Sequence, residues 1–159
     1  RAVVINLREG ELAEGGSTIT QQLAKNMYFT QEKKFLRKVA ELFVAFDLER
    51  DYTKDEILEL YLNTIYFGSG YYCVYDAAEG YFGKEPSQMT NYESTLLAGI
   101  PNAPSVYSLT NSPELAAQRQ KTVLECMVQQ DYITQEQADE ILAEGKILPD
   151  GEIQQAGEE

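Results

Sequence analysis

An all-α fold is the class this sequence predicts, and three observations carry it. Apolar residues recur at helical spacing along most of the 159 residues, capping signals stand where helices should start, and no alternating apolar and polar run is long enough for a useful strand. Helices are expected at about 17–28, 32–50, 54–66, 71–82, 91–99, 113–130 and 135–144, with no internal repeat.

The first helix follows Gly15-Gly16, where Thr18 and Gln21 have the spacing of a capping box. In the second, Phe35, Val39, Leu42, Phe43 and Phe46 share one side at ~100° per residue and are expected to face the core. Lys33, Lys34, Arg37, Lys38 and Glu41 fall on the other side. Thr53 with Glu56 starts the third helix. Gly68-Ser69-Gly70 breaks the chain before the fourth, whose segment carries Tyr71, Tyr72 and Tyr75. These tyrosines offer either a sugar-stacking platform or, the preferred reading, amphipathic rings packed in a core. Breaks at Gly83 to Pro86 and Pro101 to Pro104 bound the fifth helix. Ser112-Pro113 places Pro at the first position of the sixth, where Leu115, Val123, Leu124, Met127 and Val128 repeat as scaffold. Thr134 with Gln137 starts the seventh.

The length suits one domain with its own core. Residues 1–149 are read as that domain and 150–159, DGEIQQAGEE, as an acidic, flexible tail. No apolar run approaches the ~18 residues of a membrane span and no secretory pattern opens the chain, so any membrane anchor would lie upstream. A net charge of −13 argues against nucleic-acid binding, which calls for clustered Lys and Arg in a basic domain. The charge is unevenly placed. Lys25, Lys33, Lys34, Arg37 and Lys38 face the single acid Glu32 between residues 25 and 38, while residues 134–159 hold eight acids and one Lys. A positive island in a negative surface focuses field on one place, as a site for an anionic ligand requires. Cys73 and Cys126, without CxxC spacing or any His, make neither a zinc site nor a redox motif. They are read as unpaired, largely buried thiols, with a disulfide between them as the alternative.

The string from Gly15 to Asn26, GGSTITQQLAKN, is where chemistry concentrates. Paired glycines allow close backbone approach, the first N–H groups of the helix attract anions, and Lys25 adds a full charge. This string resembles the second motif of the peptidoglycan glycosyltransferases, the family-51 transglycosylase domain of class A penicillin-binding proteins and monofunctional transglycosylases. Three further segments agree in order: Arg37 to Glu41 with RKxxE, Lys54 to Asn63 with KxxILExYLN, and Leu97 to Tyr107 with the last motif. The family's first motif, a Glu-Asp pair followed by Phe, His and Gly that supplies the catalytic base, should precede Gly15. The fourteen residues there hold no such pattern, so the chain is read as N-terminally truncated.

The resemblance implies a lysozyme-like helical lobe with a second, membrane-facing lobe. It implies transfer of a growing lipid-pyrophosphate-linked glycan onto the hydroxyl of a lipid-linked disaccharide-pentapeptide. Both would occur on the extracytoplasmic face of the bacterial cytoplasmic membrane, alongside other cell-wall synthesis proteins. By motif, Glu41 assists catalysis, Lys25, Lys33, Arg37 and Lys38 bind pyrophosphate, and Ser17, Thr18, Gln21 and Gln22 line the cleft. The cations around Glu41 favour its ionised form. Asn102 is a contact candidate, and Glu59, Tyr61 and Asn63 are read as support. No protein-bound metal or cofactor is implied, though a divalent cation such as magnesium is compatible with pyrophosphate. Two departures stand out: Ala40 where some relatives have Lys, and Cys73 where the family has Gly. The competing readings are a non-catalytic module that binds an anionic glycolipid, and a lysozyme-like hydrolase, which needs two carboxylates about 5–9 Å apart.

Overall fold

The computed structural model describes residues 17–28, 34–148 and 150–156, with side chains throughout except at residues 28 and 34–37. These residues fall into two compact units, one within Arg1–Thr64 and one within Ile65–Glu159.

The first unit holds α1 (Ile19–Tyr28), α2 (Lys34–Asp51) and α3 (Lys54–Leu62), with α1 packed on both others. The capping signals form as the sequence predicts. Thr18 Oγ1 accepts from the Gln21 N–H at 3.2 Å while Gln21 Oε1 accepts from the Thr18 N–H at 3.4 Å, and Thr53 and Glu56 make the same reciprocal pair at α3. The third helix ends at Leu62 rather than residue 66, because Asn63 and Thr64 side chains donate to the Glu59 and Leu60 carbonyls and satisfy the last turn. Leu23 and Ala24 of α1, Ala45 and Leu48 of α2, and Ile57 and Tyr61 of α3 are buried.

α2 overturns the expected apolar face. Val39, Leu42, Phe43 and Phe46 are exposed, the two rings at 69% and 73%, and the buried positions are Glu41, Ala45 and Leu48. At ~100° per residue those three lie on the opposite side of the helix from the apolar stripe. The helix is amphipathic, as its periodicity says, but with its carboxylate inward and its rings outward.

The second unit runs α4 (Val74–Phe82), a 3-10 turn at Pro86–Gln88, α5 (Asn91–Gly99), a second at Ile100–Asn102, α6 (Pro104–Tyr107), α7 (Pro113–Gln129) and α8 (Gln135–Ala143). An antiparallel pair follows, β1 (Gly145–Ile147) with β2 (Ile153–Gln155), in register Gly145 with Gln155 and Ile147 with Ile153. Pro113 stands at the start of α7, and Thr134 with Gln137 caps α8. α5 packs along α7, burying Leu96, Leu97, Ala116 and Leu124, and Leu124 joins Ala138 and Ile141 of α8 in one cluster.

Three expectations change here. The two short strands escape a search for alternation because three residues are too few to show it. Residues 150–156, read as part of a frayed tail, carry β2, and the Gln155 side chain and Ala156 N–H donate to Glu93 Oε1 at 3.1 Å and the Glu144 carbonyl at 2.9 Å. Cys126 is exposed rather than buried; Cys73 is half-buried, and both are free thiols. Cys73 is the N-cap of α4, its Sγ accepting from the Asp76 N–H, with extended backbone (φ −149°) that any residue adopts. Cys in place of the family's Gly therefore strains nothing, and α4 starts at Val74 rather than residue 71.

Candidate active site

The inward face of α2 meets the start of α1 through one cation. Lys38 Nζ donates to Ser17 Oγ at 2.7 Å and pairs with Glu41 Oε2 at 3.3 Å. Glu41 is only 2% exposed, whereas Lys38 keeps 45% of its side chain in solvent. An ammonium has three donors in a rotatable group, so Lys38 can hold Ser17 and Glu41 and still face an incoming anion. The buried carboxylate prevents the lysine from swinging away.

Around this pair the other residues of the GGST string divide their roles. Thr18 and Gln21 face each other in the capping box. Gln22 is held at both ends of its amide: Nε2 donates to the Ser17 carbonyl at 3.3 Å, and Oε1 accepts from the Tyr61 hydroxyl at 3.2 Å. Burial pushes the Tyr61 phenol up from its ordinary pKa, so it stays a donor at neutral pH. Lys25 is exposed in the last turn of α1. Lys33 lies outside the described residues, and for Arg37 only the helical backbone is described. Ser17, Thr18, Gln21, Gln22, Lys38 and Glu41 are thus gathered in the first unit.

Asn102 belongs to the second unit, exposed at the end of its 3-10 turn. Its Oδ1 accepts from Arg119 Nη2 at 3.3 Å, and the same guanidinium lies 6.0 Å from the Tyr107 ring centroid. Arg119 Cγ also sits 3.0 Å from where a Cβ on Gly99 would be. One side chain of α7 therefore touches the beginning, middle and end of the last motif's loop.

Sequence reasoning passed over two residues, one in each unit, that hold motif segments. Thr20 is buried on α1 and donates to Glu49 Oε1 at 2.6 Å. The available signal was the spacing of Glu41 and Glu49, eight residues apart and so turned toward the same neighbour. Eight residues also put their backbones ~12 Å apart along the helix, a poor start for the ~5–9.5 Å carboxylate pair of a glycosidase. Arg119 was the other, passed over among scaffold residues. Among the described residues, no group of three or more Cys, Asp or Glu side chains is placed to hold a metal ion.

The charge division extends across the units: residues 65–159 hold fifteen acids and four cations, residues 1–64 eleven and nine. The site lies in the unit where cations come near to balancing acids.

Comparison with known proteins finds relatives over most of the chain. The family model described as Transglycosylase matches residues 1–128. Penicillin-binding protein 1F of Bacillus subtilis is 47% identical over 148 residues, covering 93% of this chain and 20% of its own length. Penicillin-binding protein 1A of Aquifex aeolicus is 48% identical over 140 residues, covering 88% and 19%. The crystal structure of penicillin-binding protein 1A from Haemophilus influenzae superposes with a TM-score of 0.54 at 30% identity, covering 84% of this chain and 17% of that one. The chain thus spans about a fifth of the length of these relatives.

Proposed function

The chain belongs to the transglycosylase family, and from that premise we propose that it takes part in peptidoglycan glycan-chain polymerisation. The growing glycan, linked through pyrophosphate to a lipid, is the donor; the hydroxyl of a lipid-linked disaccharide-pentapeptide is the acceptor. The observation that carries this reading is the Lys38 ammonium held between Ser17 and the buried Glu41. As the glycosidic bond breaks, negative charge grows on the departing pyrophosphate, and a cation already fixed in place favours that state without reorganising. By the motif resemblance we assign Lys25, Lys33 and Arg37 to the same clamp. Glu41 orients Lys38 and offers negative charge to the sugar carbon as it becomes cationic. A divalent cation such as magnesium would arrive with the pyrophosphate.

Deprotonation of the acceptor hydroxyl needs a base, which the family carries in its first motif. The 159 residues contain no Glu-Asp pair followed by Phe, His and Gly, and no His at all. As it stands, the chain binds the substrate without turning it over, since general-base catalysis supplies ~10²–10⁴-fold.

The outward face of α2 supports work at a membrane surface. Val39, Leu42, Phe43 and Phe46 form a contiguous apolar stripe, the kind of exposed patch that marks a lipid or protein contact. Among the described residues no helix is long and apolar enough to cross a membrane. Lipid-borne substrate, the extracytoplasmic face of the cytoplasmic membrane and neighbouring cell-wall synthesis proteins complete the proposal.

Titrating the chain with a fluorescent lipid-pyrophosphate disaccharide at two salt concentrations tests it. Binding should weaken as the Debye length shortens from ~10 Å at 0.1 M to ~3 Å at 1 M. Lys25→Ala and Arg37→Ala should each reduce it and Lys146→Ala should not. Binding indifferent to salt and to both cleft variants would assign recognition to the lipid tail instead.

A further inference from the structure

The tyrosine-rich segment before α4 separates into two populations. Tyr71 is packed: its ring meets Tyr81 edge-on, centroids 4.9 Å apart at 82°, and lies so close to Gly80 that a Cβ there would sit 2.2 Å from Tyr71 Cζ. Tyr81 is pinned in turn by its hydroxyl, which donates to the Phe67 carbonyl at 2.9 Å. Tyr72 and Tyr75 are exposed, at 63% and 47%, which reverses for these two the expectation of core packing. Tyr72 is steadied from one side by the Tyr66 ring, 4.8 Å away, whose own hydroxyl accepts from the Gly70 N–H.

Tyr71, Asp76, Glu79 and Gly80 line a shallow hollow of about 320 Å³. Tyr75 adjoins Asp76 and precedes Glu79 by one helical turn, so on α4 ring and carboxylates share the side away from the buried Ala77 and Ala78. We infer that this solvent side of α4 is a saccharide-binding subsite, with Tyr72 and Tyr75 as stacking faces and Asp76 and Glu79 as hydroxyl acceptors.

A pyranose ring has an apolar face of C–H groups and an edge of hydroxyls. It is matched by a flat aromatic surface next to acceptors: the exposed ring of Tyr75 offers the first, and Asp76 and Glu79, one residue and one helical turn further on, offer the second. Tyr72, held by the Tyr66 ring, presents that surface at little conformational-entropy loss on binding. The two carboxylates disfavour the other common ligands of exposed aromatics: an anionic lipid headgroup and a nucleic-acid backbone would both be repelled. An ammonium group is better served by rings that close round it, whereas these lie open. The choice of ligand class rests on the polymerase reading, for which a glycan strand is substrate and product; the geometry stands without it.

The chain contains no Trp and eleven Tyr, so tyrosine emission can be followed directly. It should be titrated with a linear tetramer of N-acetylglucosamine, with backbone amide shifts in parallel. Saturable binding with Kd on the order of 1 mM is expected, with shifts centred on residues 71–80. Tyr75→Ala should weaken it at least about fivefold and Asp76→Asn about threefold. Tyr132→Ala, a tyrosine on another exposed segment, should leave it unchanged. All three residues sit at the surface, so the variants are expected to keep the wild-type circular dichroism. Because the sugar is neutral, binding should persist at 1 M salt, where attraction between the basic cluster and pyrophosphate fades. Absence of saturable binding, or binding untouched by Tyr75→Ala and Asp76→Asn, would overturn the subsite. So would a lysine-rich peptide that binds the same residues more tightly and is released by salt, which would make the hollow a protein contact. Loss of the subsite alongside salt-sensitive glycolipid binding would leave the polymerase reading intact; the reverse pair of results would remove that reading and keep the subsite.

Discussion

Each compact unit buries a glutamate to the same 2% exposure, and the two are used differently. Glu93, in the second unit, closes a capping box with Thr90, pairs with Lys84 at 2.8 Å and accepts from Gln155 at 3.1 Å. Its partners lie on three separate segments, so the carboxylate joins framework to framework. Glu41, in the first unit, meets Lys38, and that cation goes on to Ser17 in the GGST string while remaining half in solvent. Residue type and burial alone do not separate the two acids. What the partner cation touches does. The same contrast holds for apolar surface: α5 and α7 bury theirs between them, whereas α2 turns two phenylalanines to the outside.

Substitutions in matched pairs can break this contrast. The largest effect is expected for Glu41→Gln in an enzyme that also has the family's first motif. Turnover should fall about 10²–10³-fold, the scale for removing one fixed electrostatic contact at a reacting centre, with KM changed by less than about twofold. Near-normal turnover would demote Glu41 to a helix ion pair. Next comes Phe43→Ser with Phe46→Ser, which should lower partitioning onto lipid vesicles by about 10²-fold, given ~1.5–3 kcal/mol per fully buried Phe and partial immersion. The thermal midpoint should hold or rise; a large drop would mean that the rings are part of the core after all.

Glu93→Gln should do the reverse of Glu41→Gln. It should cost about 1.5–2 kcal/mol by urea denaturation, the lower end for a hydrogen bond to a charged group because Lys84 is one-third exposed, and leave glycolipid affinity unchanged. The smallest effect belongs to Glu56, the exposed counterpart of Glu93 in the Thr53 box. The Thr53 backbone N–H, then its hydroxyl, hold the Glu56 carboxyl below its usual 4.5. A lowered folded-state value means that the contribution is present above pH ~4.5 and lost as pH falls through that lowered value. Amide exchange at the start of α3 should therefore quicken in acid, and Glu56→Gln should flatten that response. An unchanged acid profile in the variant would assign the fraying to another group.

Much of the fold was legible because its signals are local. Capping boxes at Thr18, Thr53 and Thr134, and Pro113 at the head of α7, are set by residues three or four apart, and all stand where the sequence places them. The direction in which α2 faces was not legible. Periodicity fixes that a helix has two faces but not which of them packs against its neighbours. The hairpin was missed for a related reason: Gly145 to Ile147 and Ile153 to Gln155 gain their order from each other and from α5, not from their own propensity. In the first unit, motif resemblance found Ser17, Lys38 and Glu41, which the structure brings together; in the second, Arg119 became visible only once α7 lay against the loop at Asn102.

Glu93 also orders events in time. One of its oxygens accepts from the Thr90 N–H, three residues away, and the other from Gln155, sixty-two residues away. The first bond can form as soon as α5 winds its opening turn, on the microsecond scale of a helix. The second must wait for a long loop to close, after α7 and α8 have found their places. The hairpin is thus a late arrival that latches onto a helix already capped. A weakened latch would speed the opening of the native state while leaving the rate of its formation nearly untouched.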